Sequence, residues 1–481
     1  MRRSVLAALG LVFLAASPAI AQFTGNNYFL ALPPGPVGRP PKPPPAPESP
    51  NGPFAAARNV QLGGMVRIDK EFKLLGPWAP LWLGSKAVAL LGTRHGQITM
   101  LAWSGDHFAS SRVMADPAAV GGGQILDMAV SRDGNRLAIV AGGGDRLQIW
   151  LRDTQSAAPA AMVATIDGRC EKAGLAWLDP GTLAVGAQLQ PGAQAPGESP
   201  IITPEQMEQP AASEPTRSLY IVQLGQRQAP ASLDLECIKH LDPTALTWSP
   251  DGHYAVGRSD EPGKWTLVDR AKAGCEAINM PGIVPAGFID WEDQSHRFLF
   301  TATPANAPDP GHIGVMEYIL ASHKTRLLAS PATAAAYAGG DKIAVLGSQR
   351  LNALAMAANA AVLFPAEIAW IDPGQSQLDI VPTGFSATGA ELLHAHLTFS
   401  AAKSMLAASF LTPNPKGAFA VLMWLSTAAH DGGVLGTGRM GNMLASWSPD
   451  GSKLAILAGL PDHPTLAIVA AQGAAATPGE R

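Results

Sequence analysis

Cysteine is nearly missing: Cys170, Cys237 and Cys275 are the three in 481 residues. So few exclude a disulfide-built scaffold, and none shows the C-x-x-C spacing of a zinc or redox site. One bridge with a spare thiol, or three separate buried thiols, are both open on the sequence. Charge is sparse too, at 15%, with a formal net charge of -4 and no stripe or block of Lys and Arg. Nothing there attracts a phosphate backbone, which excludes nucleic acid as a partner. Beyond the first twenty or so residues no apolar run approaches the roughly 18 residues of a membrane-spanning helix. Catalytic signatures are missing as well. There is no G-x-S-x-G, H-E-x-x-H or P-loop, and no G-x-G-x-x-G between strand and helix.

What abounds is Gly, 50 residues, and Pro, 42, with aromatics at only 6%. Such a composition suits turns and short apolar strands, not a helical bundle. The turns repeat. Ala245-Leu246-Thr247-Trp248-Ser249-Pro250-Asp251-Gly252 recurs as Ala445-Ser446-Trp447-Ser448-Pro449-Asp450-Gly451 and, more loosely, as Met128-Ala129-Val130-Ser131-Arg132-Asp133-Gly134. Each copy reads as a strand ending in an apolar plug, a turn closed by Asp-Gly, and a second apolar strand. With the plug as register mark the series is Trp82, Val130, Trp177, Trp248, Trp291, Tyr337, Phe399 and Trp447, spaced by 48, 47, 71, 43, 46, 62 and 48 residues. Five spacings near 45 match a four-stranded propeller blade, and the other two are the same unit stretched by insertions.

The fold class expected is therefore all-β: a single β-propeller of eight four-stranded blades, with seven as the alternative. The eighth unit is one strand short after Trp447, and the segment from Gly64 to Leu74 is free to supply it, closing the ring and removing an exposed sheet edge. The Trp-Ser-Pro-Asp-Gly strings at Trp248 and Trp447 are similar to the repeats of TolB-like periplasmic propellers and related secreted WD-type propellers. That resemblance spans roughly residues 60 to 470 as architecture, with two copies matching closely. TolB carries an α/β domain before its propeller, whereas a proline-rich stretch stands in that place here. Because the shared motif is a turn, the resemblance implies fold and not activity. The docking repeat of quinone-cofactor propellers is not found, and no cofactor is expected.

Residues 1–21 read as a secretory signal peptide: Met1-Arg2-Arg3, an apolar run from Val5 to Ala16, and an Ala19-Ile20-Ala21 exit with the cut after Ala21. The mature chain is thus expected in the periplasm or outside the cell, without a transmembrane segment. Residues 22–58 form a proline-rich arm with Phe23, Tyr28 and Phe29 near its start; these aromatics are the candidate partner-binding residues. Residues 59–471 make the propeller, and 472–481 a small, polar tail.

Four insertions, Gln190 to Arg217, Thr303 to Gly311, Ser348 to Ala366 and Leu411 to Gly417, fall between second and third strands, which places them on one face of the disc. Loops on a rigid scaffold are where binding concentrates. The third is rich in Ala, Leu and Met and predicts a short amphipathic helix. As weak metal candidates, His394 and His396 share one face of an inner strand, and Asp127 and Asp290 sit on other inner strands. Two strand histidines without a metal are the commoner outcome, so no metal is expected. The reading that needs least is a non-catalytic, monomeric scaffold binding a protein partner through the loop-rich face. The alternatives are a propeller enzyme (lyase, lactonase or glycan-acting hydrolase) and a small-molecule sensor, either with its site at the central channel.

Overall fold

The structure, a computed structural model, describes residues 60–75, 79–104, 111–190, 215–225, 229–306, 313–329, 332–347, 364–372, 379–387, 395–400, 404–414, 417–426, 432–439, 443–460 and 463–471. Eight antiparallel sheets follow one another along the chain, each built in chain order from its innermost strand outward. They are blades 1 to 8. All eight register residues lie within two positions of the end of the innermost strand, as Val130 does in Gln124–Val130 and Trp291 in Ile283–Trp291. Eight blades, not seven, is the count.

The last blade takes its outer strand from the other end of the described chain. Val60–Arg67 pairs antiparallel with His463–Ala471, in register from Val60 opposite Ala471 to Arg67 opposite Thr465. The closing strand thus starts four residues earlier than Gly64. Phe72–Leu74, the other end of that segment, instead joins blade 1 beside Ala87–Arg94. The physical reason is the break at Ile68 to Glu71, where Glu71 N–H bonds the Asp69 carboxylate and turns the chain. Leu411 to Gly417 also differs from expectation. It belongs to a long hairpin, Met405–Asn414 with Gly417–Ser426, in which Asn414 faces Gly417. Pro413 is tolerated because the inner strand pairs only with Met405 to Ser409, leaving the outer half of this hairpin strand unpaired on that side.

The register tryptophans hold the blades to one another. Trp177 Nε1 donates to Ala129 O (2.9 Å), Trp291 Nε1 to Thr247 O (3.2 Å) and Trp447 Nε1 to Thr398 O (3.3 Å). Trp82 Nε1 makes the same bond across the closing seam, donating to Ser446 O (2.9 Å). In each case the acceptor immediately precedes the register residue of the previous blade, so a buried indole N–H finds its partner across the seam. A second device runs the other way. Arg136 and Arg297, each six positions after its own register residue, lie over the next blade's Trp177 and Tyr337 rings at 4.9 and 5.6 Å.

The Ser-x-Asp-Gly turns share one network. In the turn at Ser448, the hydroxyl donates to Asp450 (2.6 Å) and accepts from Lys453 N–H (3.0 Å), Asp450 also accepts from Ser452 N–H (3.0 Å), and Gly451 takes φ 66°. Ser131 with Asp133 and Ser249 with Asp251 repeat it. All three carboxyls are held below the ordinary range. At Asp133 the Ser131 hydroxyl is the main cause. At Asp251 and Asp450 burial pushes upward, but the serine hydroxyls and backbone N–H groups outweigh it, to about 2 at Asp450. A folded-state value below the unfolded one gives stability that is complete above about pH 4 and is lost as pH falls toward 2. Calorimetry should show a melting temperature level down to about pH 4.5 and falling below it. Asp450→Asn should melt lower at neutral pH and lose less on acidification.

Candidate functional site

Antiparallel blades put the connections between first and second strands, and between third and fourth, on one face, here the turn face. The remaining connections open on the opposite face. The long ones gather there: 26 residues between Leu189 and Thr216, 16 between Gly347 and Phe364, 9 between Pro304 and Gly314, and 14 between Ser232 and Thr247. On the turn face no gap between first and second strands exceeds five residues. The helix expected from Ser348 to Ala366 lies mostly outside the described residues; its last three positions belong to the strand Phe364–Ile371.

The described part of this face is most elaborate where blade 3 meets blade 4. The connector there forms two short 3-10 turns, Glu236–His240 and Pro243–Ala245, the second capped by Asp242, whose carboxylate accepts from Thr244 N–H. It lies directly on blade 3, across from Gly174 and Gly186, which are cross-strand partners. A Cβ on Gly186 would stand 1.8 Å from Pro243 O, and one on Gly174 2.2 Å from Thr244 O. Two missing side chains make the floor on which the connector rests.

That contact fixes Asp242 beside Lys172 Nζ (2.5 Å), with the Thr244 hydroxyl (2.6 Å) and Gln188 Nε2 (3.4 Å) on its other oxygen. Burial pushes the Asp242 carboxyl up, but Lys172 and Thr244 outweigh it and hold it below the ordinary value. Next to it Arg217 Nη1 meets Asp260 (2.8 Å) and Leu241 O (2.9 Å). Cys237 in the same connector is joined to Cys275 of the blade 4 outer strand, their Cα atoms 6.2 Å apart, while Cys170 is a buried free thiol. Of the two cysteine arrangements left open by the sequence, the structure has one bridge and one spare. The sequence reading missed Lys172, Gln188 and Asp242. The signal was there in Asp242-Pro243-Thr244, a cap residue followed by Pro at the first helical position.

The axis is chemically thin. Asp290, on the innermost strand of blade 5, keeps an exposed side chain; desolvation by the strands around it pushes its carboxyl up to about 7, opposed by the Trp291 N–H it accepts (2.9 Å). His396 is partly buried and burial pulls it down to about 4, so the ring is neutral at neutral pH. Asp127 does not line the opening. Its two oxygens accept from Met128 N–H (2.8 Å) and, across the seam to blade 3, Leu175 N–H (2.7 Å), while burial pushes it well above the usual carboxyl range. His394, Phe23, Tyr28 and Phe29 lie outside the described residues. No group of three or more metal-ligating side chains comes together among the described residues. At the turn face Arg132 of blade 2 pairs with Asp293 of blade 5 (2.6 Å), three blades round an eight-membered ring, and so spans the axial opening.

No protein-family model matches the chain, and no curated protein matches it. Among solved structures it is similar to a prolyl oligopeptidase B from Galerina marginata, with 14% identity over 84% of this chain and 56% of that one and a TM-score of 0.45. A post-proline cleaving enzyme from Rickettsia typhi shows 11% identity, 79% and 57% coverage, and a TM-score of 0.44. The Cps50 (Swd1) β-propeller domain from Myceliophteria thermophila shows 13% identity, 83% and 98% coverage, and a TM-score of 0.37. The chain spans a little over half the length of the first two. At these scores the likeness carries no argument about activity, and the fold rests on the strand pairing described above.

Proposed function

We propose that this propeller is a non-catalytic scaffold that binds a protein partner through its loop-bearing face, in the periplasm or outside the cell. One observation carries the reading: the long connections are segregated on one face, while the opposite face is taken up with blade-to-blade contacts. The turn face holds the Ser-Asp networks and the arginine-capped register aromatics on short connections. The loop face has a fixed polar floor at Lys172, Gln188, Asp242 and Arg217, beside the two strands that the 26-residue connection joins. The described axis offers Asp290 and His396 without a third converging group, which favours binding over channel chemistry. An exported protein fits the Cys237–Cys275 bridge, since such bonds persist in oxidising compartments, and the TolB-like turn motif supports a place in the cell envelope.

The test is to replace residues 191–214 by a short Gly-Ser turn, keeping Thr216–Gln223 because Arg217 anchors the connector. The melting temperature should change by less than about 1 °C, as for a surface loop. Crosslinked capture of the partner from cells should fall by at least about tenfold, the loss of a few contacts' binding energy. Undiminished capture would remove this loop from the interface.

A further inference from the structure

Six arginines meet a carboxylate directly: Arg94, Arg132, Arg146, Arg217, Arg297 and Arg326. Arg112 and Arg152 do not, although they sit together at the seam between blades 1 and 2. Arg112, in the outer strand Ser111–Ala115, donates through Nη2 to Thr154 O of blade 2. Arg152, in Arg146–Asp153, donates through Nη1 to Met114 O (2.8 Å) and Val113 O (3.3 Å) of blade 1. Each guanidinium therefore binds backbone beside the other's own position, and the reciprocal clasp sets two cations side by side. Both Nε atoms are buried with no hydrogen-bond partner. Arg112 Nη1 and Arg152 Nη2 have no partner among the described residues and are not among the buried atoms, so solvent reaches both.

Among the described residues the nearby carboxylates bond elsewhere. Asp116 accepts from Ala119 N–H (2.8 Å) and Asp153 from Gln155 N–H (2.7 Å), and neither forms an ion pair with these arginines. Burial and then the neighbouring Arg112 pull the Arg152 guanidinium below its ordinary pKa, with Asp116 opposing them. Two like charges held together by backbone bonds, each with a donor open to solvent, lack a paired anion among the described residues.

We propose that Arg112 and Arg152 form a rim site for a small free oxyanion dianion, phosphate or sulfate, held by their two solvent-accessible Nη groups. A dianion neutralises both cations and offers separate oxygens to two planar forks, which a single carboxylate or a chloride cannot match. Because it binds groups of both blades, it also clamps the seam, and its binding appears as stability.

The experiment measures melting temperature and titration heat of the full chain in sodium phosphate, sodium sulfate, sodium acetate and sodium chloride at equal ionic strength. Phosphate and sulfate should each raise the melting temperature by about 1–3 °C over chloride at ten times the dissociation constant, with acetate giving less. Arg112→Gln and Arg152→Gln should each abolish that excess. Arg152→Gln removes two backbone bonds; should it fail to fold, Arg112→Gln, which removes one, decides alone. An equal rise in chloride, or an excess that survives Arg112→Gln, overturns the site.

Discussion

Gly186→Ala is expected to lower the stability of the protein by about 3 kcal/mol or more, far beyond the usual effect of one added methyl group. The new Cβ would be placed 1.8 Å from Pro243 O, where contact requires more than 3 Å, so backbone must move. It cannot move freely. The connector is tied to blade 4 through Cys237, to Arg217 through Leu241 O and to Lys172 through Asp242. Relief therefore comes from opening the blade 3–blade 4 seam, whose buried cluster includes Ala176, Leu178, Ile238, Leu241 and Leu246. Gly181→Ala is the control, since its Cβ would find only the Asp179 carboxylate at 3.5 Å. Denaturant melts of both variants check the difference. Because the same connector sets the polar floor of the loop face, Gly186→Ala should also weaken partner capture beyond its stability loss.

Truncation at the ring closure should have the second large effect. A chain beginning at residue 59 retains Val60–Arg67 and should melt within about 2 °C of the mature chain. One beginning at residue 68 leaves His463–Ala471 without its outer partner, exposing a strand edge and the apolar side of blade 8. It should lose several kcal/mol, a large part of the 5–15 kcal/mol that typically separates folded from unfolded chains, and should aggregate. Light scattering and melting curves of the two truncations separate these outcomes. An equally stable chain from residue 68 would mean that the closing strand is dispensable.

These two predictions differ in how far they can be read from sequence. Ring closure was legible because an unfilled strand position at one end and a spare alternating segment at the other are both local patterns. The register residues were legible for the same reason: a strand, an Asp-Gly turn and a second strand fit inside about fifteen residues, and all eight marks fall where the pattern places them. The division of Gly64 to Leu74 between blades 8 and 1 was not, since both halves alternate apolar and charged residues and only their pairing partners distinguish them. Gly174 and Gly186 looked like ordinary strand glycines. Their meaning depends on Pro243 and Thr244, more than fifty residues away, and no local pattern carries it. The cysteine pairing and the Arg112–Arg152 clasp have the same non-local origin. On the candidate site, sequence located the loop face through the placement of insertions but missed its polar floor. It also took Leu411 to Gly417 for a loop, because two prolines hid an extended hairpin.

The central expectation is that the loop-bearing face, and not the turn face, meets a partner. It is tested most directly by placing a photo-crosslinking amino acid at one exposed position at a time in cells. Asp145 and Glu171 report on the loop face, and Lys86 and Asp179 on the turn face. One discrete adduct is expected, from Asp145 or Glu171 and from neither turn-face position. An adduct formed only from Lys86 or Asp179 would contradict it.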